Sequence, residues 1–132
     1  MSESVFHSQP AFILHQRHYR ESSLIVDALT QDFGRVSLLA KGVRKTKSKT
    51  AGILRPFVPL SLSFVGKADL KTLTDVEMLG HANELTGLAF YCGFYVNELV
   101  GNFLHKDDPH PEVFQDYQEC LSQLALGSQI ET

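Results

Sequence analysis

The most chemically distinctive stretch of this sequence is a run of cations between Ala40 and Thr50. Small polar residues separate the charges, and no aspartate or glutamate occurs from Phe33 to Ala68. Phosphate groups are bound by mobile cations that no carboxylate neutralises, and backbone amides around Gly42 can add hydrogen-bond donors. The run therefore indicates a binding site for a polyanion, with a solubilising loop as the alternative. Its charged residues are Lys41, Arg44, Lys45, Lys47 and Lys49.

Charge is distributed unevenly along the whole chain. Residues 1–71 carry eleven Lys and Arg against five Asp and Glu, whereas residues 72–132 carry ten acids and a single cation, Lys106. The formal net charge of −3 hides this division. A basic segment inside an acidic protein points to nucleic acid as the partner of that segment, and the acidic part suits a basic protein surface.

Aromatic side chains near the cations are candidates for stacking on unpaired bases. Tyr19 lies in the polar segment His18–Ser22, which favours an exposed ring. Phe33 and Phe57 flank predicted strands, so we expect both in the hydrophobic core. Tyr19 is therefore the stacking candidate.

Residues that could support catalysis or metal binding are sparse. His105, Asp107, Asp108 and His110 are close in sequence, but their spacing matches no dedicated zinc pattern and no thiolate joins them. The sequence contains no phosphate-binding loop, nucleophile elbow or His-Glu-x-x-His pair. We therefore expect no enzymatic activity, no metal ion and no cofactor.

Five strand-like segments precede residue 80. They alternate apolar and polar residues or are rich in β-branched residues, and turn signals such as Asp32-Phe33-Gly34 separate them. Five short strands with one hairpin and a longer connection between the third and the fourth predict a small barrel, with an open sheet or a sandwich fragment as the alternative. The segments are Ala11–Arg17, Leu24–Leu29, Arg35–Ala40, Leu60–Val65 and Leu70–Leu79.

Helical periodicity replaces the strand pattern after residue 80. The segment Leu85–Leu104 is apolar on nearly every face, which predicts a helix buried by more than one neighbour. A second helix is expected to follow, capped by Asp107 or Asp108 and ending near Gly127. The predicted fold class is α+β, with a five-stranded barrel domain over residues 1–80 and the start of an α-helical domain over residues 81–132.

The composition is that of an ordinary globular protein, with 43% hydrophobic and 20% charged residues among 132. The two cysteines, Cys92 and Cys120, form no disulfide framework, which favours a reducing compartment. The longest apolar run, Leu88–Val96, is shorter than the roughly 20 residues of a membrane span, and the first residues contain no secretion signal. We therefore expect a cytoplasmic protein.

Several segments of the first eighty residues together resemble the N-terminal portion of the RecO family of bacterial DNA repair proteins. The Tyr-x-Glu-Ser element at Tyr19 and the Ala-Lys-Gly element at Ala40 are fairly specific as a pair. The helix that follows is similar to the start of the family's helical C-terminal domain. The matching residues are His18–Ser23, Phe33–Gly34, Ala40–Lys45, Gly52–Phe57, and Leu73 with Glu77.

This resemblance implies an OB-fold for the barrel and a role as a mediator of DNA repair and recombination. A protein of this family would bind single- and double-stranded DNA and anneal complementary strands. With RecR, and in some pathways RecF, it would help to load RecA onto DNA coated by single-strand-binding protein, whose acidic tail is a further partner. It would be cytoplasmic and associated with the nucleoid. By position, the resemblance places DNA contacts on Lys41, Arg44, Lys45, Lys47 and Lys49, with Arg35 and Arg55 as neighbours.

The sequence also departs from the family pattern. Family members are considerably longer, and here the helical domain breaks off after two helices. Arg55 stands where glutamine is common, which adds positive charge. Some members hold a zinc site with several cysteines, which this sequence does not support. An RNA-binding OB module and a protein–protein adaptor are the alternative functions.

Overall fold

The computed structural model of the chain describes residues 4–44 and 49–131, with side chains described as far as Ser128. Five strands and a short helix come first, and two longer helices follow. The strands are β1 (Val5–Tyr19), β2 (Ser23–Thr30), β3 (Gly34–Ala40), β4 (Leu60–Val65) and β5 (Leu70–Met78). The helices are α1 (Lys49–Ile53), α2 (Gly87–Phe103) and α3 (Pro111–Glu131).

The five strands form a closed barrel in the order β1-β2-β3-β5-β4. All neighbouring strands are antiparallel except β3 and β5, which pair in parallel through Ser37–Leu39 and Leu70–Thr72. The long strand β1 pairs with two neighbours: its first half pairs with β4 and its second half with β2. A closed five-stranded barrel of this order confirms the predicted OB-fold.

Alternating apolar side chains fill the barrel. On β4, Leu60, Leu62 and Phe64 point inward and are fully buried, while the residues between them are partly exposed. Leu54 and Val58, which follow α1, belong to the same cluster of buried side chains. The chain between β3 and β4 therefore contributes to the barrel core and ties α1 to it.

A second hydrophobic core joins the helices to the outside of the barrel. Phe12 and Leu14 of β1 contact Phe114 and Leu121 of α3 within this cluster. Between them, the buried Asn97 amide donates to the carbonyl oxygen of Leu14 at 3.1 Å and accepts a hydrogen bond from the Tyr117 hydroxyl. Burial raises the pKa of Tyr117 well above its ordinary value. Because these polar groups satisfy one another, the interface between strand and helices is well specified.

The loop between α2 and α3 is fixed to β3 and β5. Arg35 Nε donates to the carbonyl oxygen of Leu104 at 3.0 Å, and the backbone amide of Asp107 donates to the carbonyl oxygen of Arg35 at 2.7 Å. The buried Lys71 ammonium lies 2.7 Å from Asp107 Oδ1. Gly34 has φ +71°, and a Cβ there would lie 2.1 Å from the carbonyl oxygen of Asp108, so only glycine allows this approach.

Three expectations about the helical part are wrong. The outer face of α2 is exposed in the described structure: Leu88, Tyr91, Tyr95 and Phe103 are 66–77% exposed. Helix α3 begins at Pro111, so neither aspartate of the preceding loop caps it, and it continues through Gly127.

Across the described ranges, no helix combines the length and hydropathy that a membrane crossing requires.

Candidate nucleic-acid interface

A groove of about 390 Å³ lies on the outer face of β1, β2 and β3. On β1, alternate residues share a face, so His15, Arg17 and Tyr19 point to the same side of the barrel. The strand register places Arg17 opposite Ile25, and His15 opposite Asp27. Ile25 and Asp27 lie on the floor of the groove, and Arg17 lies along its wall.

Two cations of this groove, Arg35 and Lys106, are held by the loop between α2 and α3. Arg35 is only 15% exposed at its side chain, and its guanidinium lies 3.5 Å from Asp27 Oδ2 in addition to its bond with the loop between α2 and α3. That loop forms an isolated bridge between Lys106 and Arg35, and Lys106 lines the groove. The helical part thus contributes its single cation to a groove that is otherwise built by the barrel.

Outside the groove lining, the Arg44 side chain binds the turn between β1 and β2. Its Nε donates to the carbonyl oxygen of Ser23 at 3.0 Å and its Nη2 to that of Arg20 at 2.8 Å. The guanidinium of Arg20 lies 5.1 Å from the centre of the Tyr19 ring. Since carbonyl oxygens already accept hydrogen bonds from the Arg44 guanidinium, fewer of its N–H groups are available for phosphate.

The remaining predicted contact residues are divided by the structure. Lys41, Lys49 and Arg55 are exposed, and the ion pairs seen in the described part of the chain include none of them. Tyr19 is half-buried at the end of β1, beside the turn to which Arg44 donates hydrogen bonds. Lys45 and Lys47 lie outside the described residues.

Sequence reasoning missed Arg17 and Lys106, which line the groove, and Arg20, whose guanidinium lies over the Tyr19 ring. Alternation along β1 could have indicated Arg17, because it shares a face with Tyr19. Lys106 is 71 positions from Arg35 in sequence, and only its isolation among acidic residues marked it. Lys67 is a further exposed cation, in the turn between β4 and β5.

Acidic side chains are also present, so the groove is not uniformly positive. Asp27 accepts a hydrogen bond from the Ser37 hydroxyl at 2.7 Å, and Asp69 lies at the rim. A smaller cleft of about 200 Å³ places Lys41 near Asp75. The described residues contain no group of three or more His, Cys, Asp and Glu side chains that could hold a metal ion. Cys92 and Cys120 are half-buried free thiols.

Comparison with known protein families shows which family this chain belongs to. Residues 1–82 match the profile of Recombination protein O N terminal, and residues 85–132 match that of Recombination protein O C terminal. The chain belongs to the RecO family. The resemblance based on the Tyr-x-Glu-Ser and Ala-Lys-Gly elements is therefore confirmed.

Curated relatives of this RecO chain carry the name DNA repair protein RecO. The protein from Burkholderia pseudomallei (strain 1710b) is 49% identical over 126 residues, which cover 96% of this chain and 46% of the relative. The protein from Glaesserella parasuis serovar 5 is 48% identical over 117 residues, which cover 89% of this chain and 49% of the relative. The RecO chain thus spans less than half the length of each of these relatives.

Proposed function

We propose that this chain binds DNA without sequence specificity and acts in DNA repair and recombination. The observation that carries the proposal is the groove on the outer face of β1, β2 and β3, which Arg17, Arg35 and Lys106 line. OB-folds use this part of the barrel for oligonucleotides. The proposed contact residues are Arg35, Lys41, Arg44, Lys45, Lys47, Lys49, Arg55 and Tyr19, joined by Arg17, Arg20, Lys67 and Lys106.

The exposed cations support the electrostatic part of this proposal. Lys41, Lys49 and Arg55 extend into solvent from the connection between β3 and β4. Phosphate contacts position a strand without reading its sequence, so they bind all sequences alike. By neutralising phosphates on two strands at once, such a surface would lower strand repulsion and promote annealing.

Because the chain belongs to the RecO family, whose relatives are named DNA repair protein RecO, we extend the proposal to the partners that this family implies. The protein would bind single- and double-stranded DNA, contact RecR and the acidic tail of single-strand-binding protein, and assist RecA loading in the cytoplasm at the nucleoid. DNA binding is assigned to residues 1–80, and residues 81–132 are assigned to the start of the helical domain. The acidic face of α3 would stay away from DNA.

Salt-titrated binding of single- and double-stranded oligonucleotides tests the proposal. For about five phosphate contacts, the logarithm of the association constant should fall with the logarithm of salt concentration at a slope of about −3.5 to −4.5. Lys41→Glu and Lys49→Glu should weaken binding to all sequences equally, because both cations face solvent. Glu119→Gln, on the exposed face of α3, is the control that should change nothing. A slope near zero would refute DNA binding, and an annealing assay then tests strand pairing directly.

Two other functions give different results in the same experiments. If RNA competes much better than DNA of the same sequence, the barrel is an RNA-binding module. The exposed apolar face of α2, which includes Tyr91 and Phe103, favours contact with a protein. Binding of a protein partner without any oligonucleotide binding would identify the chain as an adaptor.

A further inference from the structure

The floor of the groove on β1, β2 and β3 is unsuited to phosphate. Asp27 lies there with its side chain 27% exposed, and Asp69 lies at the rim. A carboxylate repels a phosphate at short distance, so a strand in this groove must turn some other chemical group toward Asp27. The cations that attract the backbone, Arg17 and Lys106, line the same groove.

Hydrogen-bonding capacity remains on both charged groups at the floor. Asp27 Oδ1 accepts from the Ser37 hydroxyl at 2.7 Å, and Oδ2 is paired loosely with Arg35 Nη1 at 3.5 Å. A carboxylate has about four lone-pair positions, so roughly two are open. The Arg35 guanidinium has five N–H donors, of which one binds Leu104 and one faces Asp27. The floor therefore presents an acceptor directly beside a donor.

This pairing complements one kind of nucleobase edge. Cytosine and adenine place an exocyclic amine, which donates, next to a ring nitrogen, which accepts. Uracil and thymine place a carbonyl next to an N–H, which is the reverse order. Aspartate accepting from the cytosine amine is a known type of base contact. In a duplex the Watson–Crick edges are already paired, so a site that reads the cytosine amine together with its ring nitrogen needs an unpaired base.

We propose that the groove holds one nucleotide of a single strand, with the amine of an unpaired cytosine or adenine donating to Asp27 and the adjacent ring nitrogen accepting from Arg35. Its volume of about 390 Å³ falls in the range of small-molecule sites. In this arrangement Ile25 would contact the apolar face of the base, and Arg17 and Lys106, which line the same groove, would bind the flanking phosphates. This inference rests on the proposed DNA binding, and it adds a several-fold preference at one base position to phosphate contacts that read no sequence.

The test compares two single-stranded oligodeoxynucleotides of equal length, one of deoxycytidine and one of deoxyuridine, at mildly alkaline pH. The two bases differ chiefly at the edge that would face Asp27. The chain should bind the deoxycytidine strand roughly three- to tenfold more tightly. Asp27→Ala should bring the two affinities within about twofold of each other and should strengthen deoxyuridine binding, because a negative charge leaves the site.

Two variants sharpen the result. Asp69→Ala removes the other acid of the groove, so it should strengthen binding of both strands while leaving their ratio unchanged. Asp27→Asn keeps the side-chain size and replaces an acceptor with a donor, so it should reduce or reverse the preference even if Asp27→Ala is poorly folded. A ratio near one for the unchanged chain, or a preference that survives both Asp27 variants, would overturn the inference. If salt-dependent binding persists in that case, the proposed DNA binding stands; if it is absent, both fail.

Discussion

The ion pair between Lys71 and Asp107 gives a sharp test of how the helical part is attached to the barrel. The Lys71 side chain is 7% exposed and the Asp107 side chain 40%, and their Nζ and Oδ1 atoms are 2.7 Å apart. Lys71 also donates to the carbonyl oxygen of Ala68 at 3.1 Å. Removing the Asp107 carboxylate leaves the buried Lys71 ammonium without its counter-ion. Removing the lysine leaves a carboxylate that water can reach.

The two substitutions should therefore have unequal costs. Breaking a fully buried pair by removing one partner costs about 3–5 kcal/mol. Because Asp107 is partly exposed and Asn retains an accepting oxygen, Asp107→Asn should cost about 2 kcal/mol. Asparagine tolerates the positive φ of 60° at this position, so backbone strain does not contribute. Lys71→Met, which replaces the ammonium with an apolar group of similar volume, should cost about 1 kcal/mol or less.

Urea and thermal unfolding of the two variants and of their combination measure these costs. Asp107→Asn should lower the melting temperature by about 6–10 °C for a chain of this size. The double variant should unfold like Lys71→Met alone, because without the lysine the carboxylate has no buried partner. Asp116→Asn, on the exposed face of α3, is the matched charge control and should change the free energy of unfolding by less than about 0.5 kcal/mol. Equal costs, or costs that simply add in the double variant, would refute the reasoning.

Two further predictions concern the packing of the helices. Tyr117→Phe should cost about 1–3 kcal/mol in urea unfolding, because the buried Asn97 oxygen loses its donor. Burial raises the Tyr117 pKa above its ordinary 10.0, so the unfolded state ionises first as pH rises past that value, and alkaline loss of stability should be smaller in the Phe variant. Gly93→Ala should cost about 1–3 kcal/mol, because its methyl would lie 2.6 Å from Leu85 Cδ1 and 2.7 Å from the Phe57 ring. Gly127→Ala is the control, because a Cβ at Gly127 would have no neighbour within 4 Å, and this substitution should stabilise α3 by about 0.5–1 kcal/mol. If Gly93→Ala and Gly127→Ala shifted the melting temperature equally, the close packing at Gly93 would be contradicted.

The strands whose partners are close in sequence were the most predictable. Alternation of Leu60, Leu62 and Phe64 between Pro59 and Gly66 located β4 at its observed ends. The start of β1 was missed, because its first half contains Ser8 and Pro10 and pairs with β4 about fifty residues later. Local propensity carries no information about such a distant partner.

The candidate site was predictable in charge and much less so in geometry. The cluster of cations was visible in the sequence. The sequence does not distinguish an arginine that is free for phosphate from one that binds carbonyl oxygens, as Arg44 does. The same limit applies to Asp107, which could be a helix cap in sequence and instead pairs with Lys71. Lys106 joins the groove only because the loop between the helices folds back on β3.

The double pairing of β1 has a consequence for how the chain acquires its structure. Of the five strands, β1 is synthesised before the others, so its N-terminal half can form hydrogen bonds only after β4 has been made. Phe12 and Leu14 are covered only after α3 has been made. Pairings of such large sequence separation delay folding, since the intervening chain has to be ordered first. Until α3 has been made, the side chains of Phe12 and Leu14 stay exposed on the outside of β1, and exposed apolar side chains of this kind are what chaperones bind.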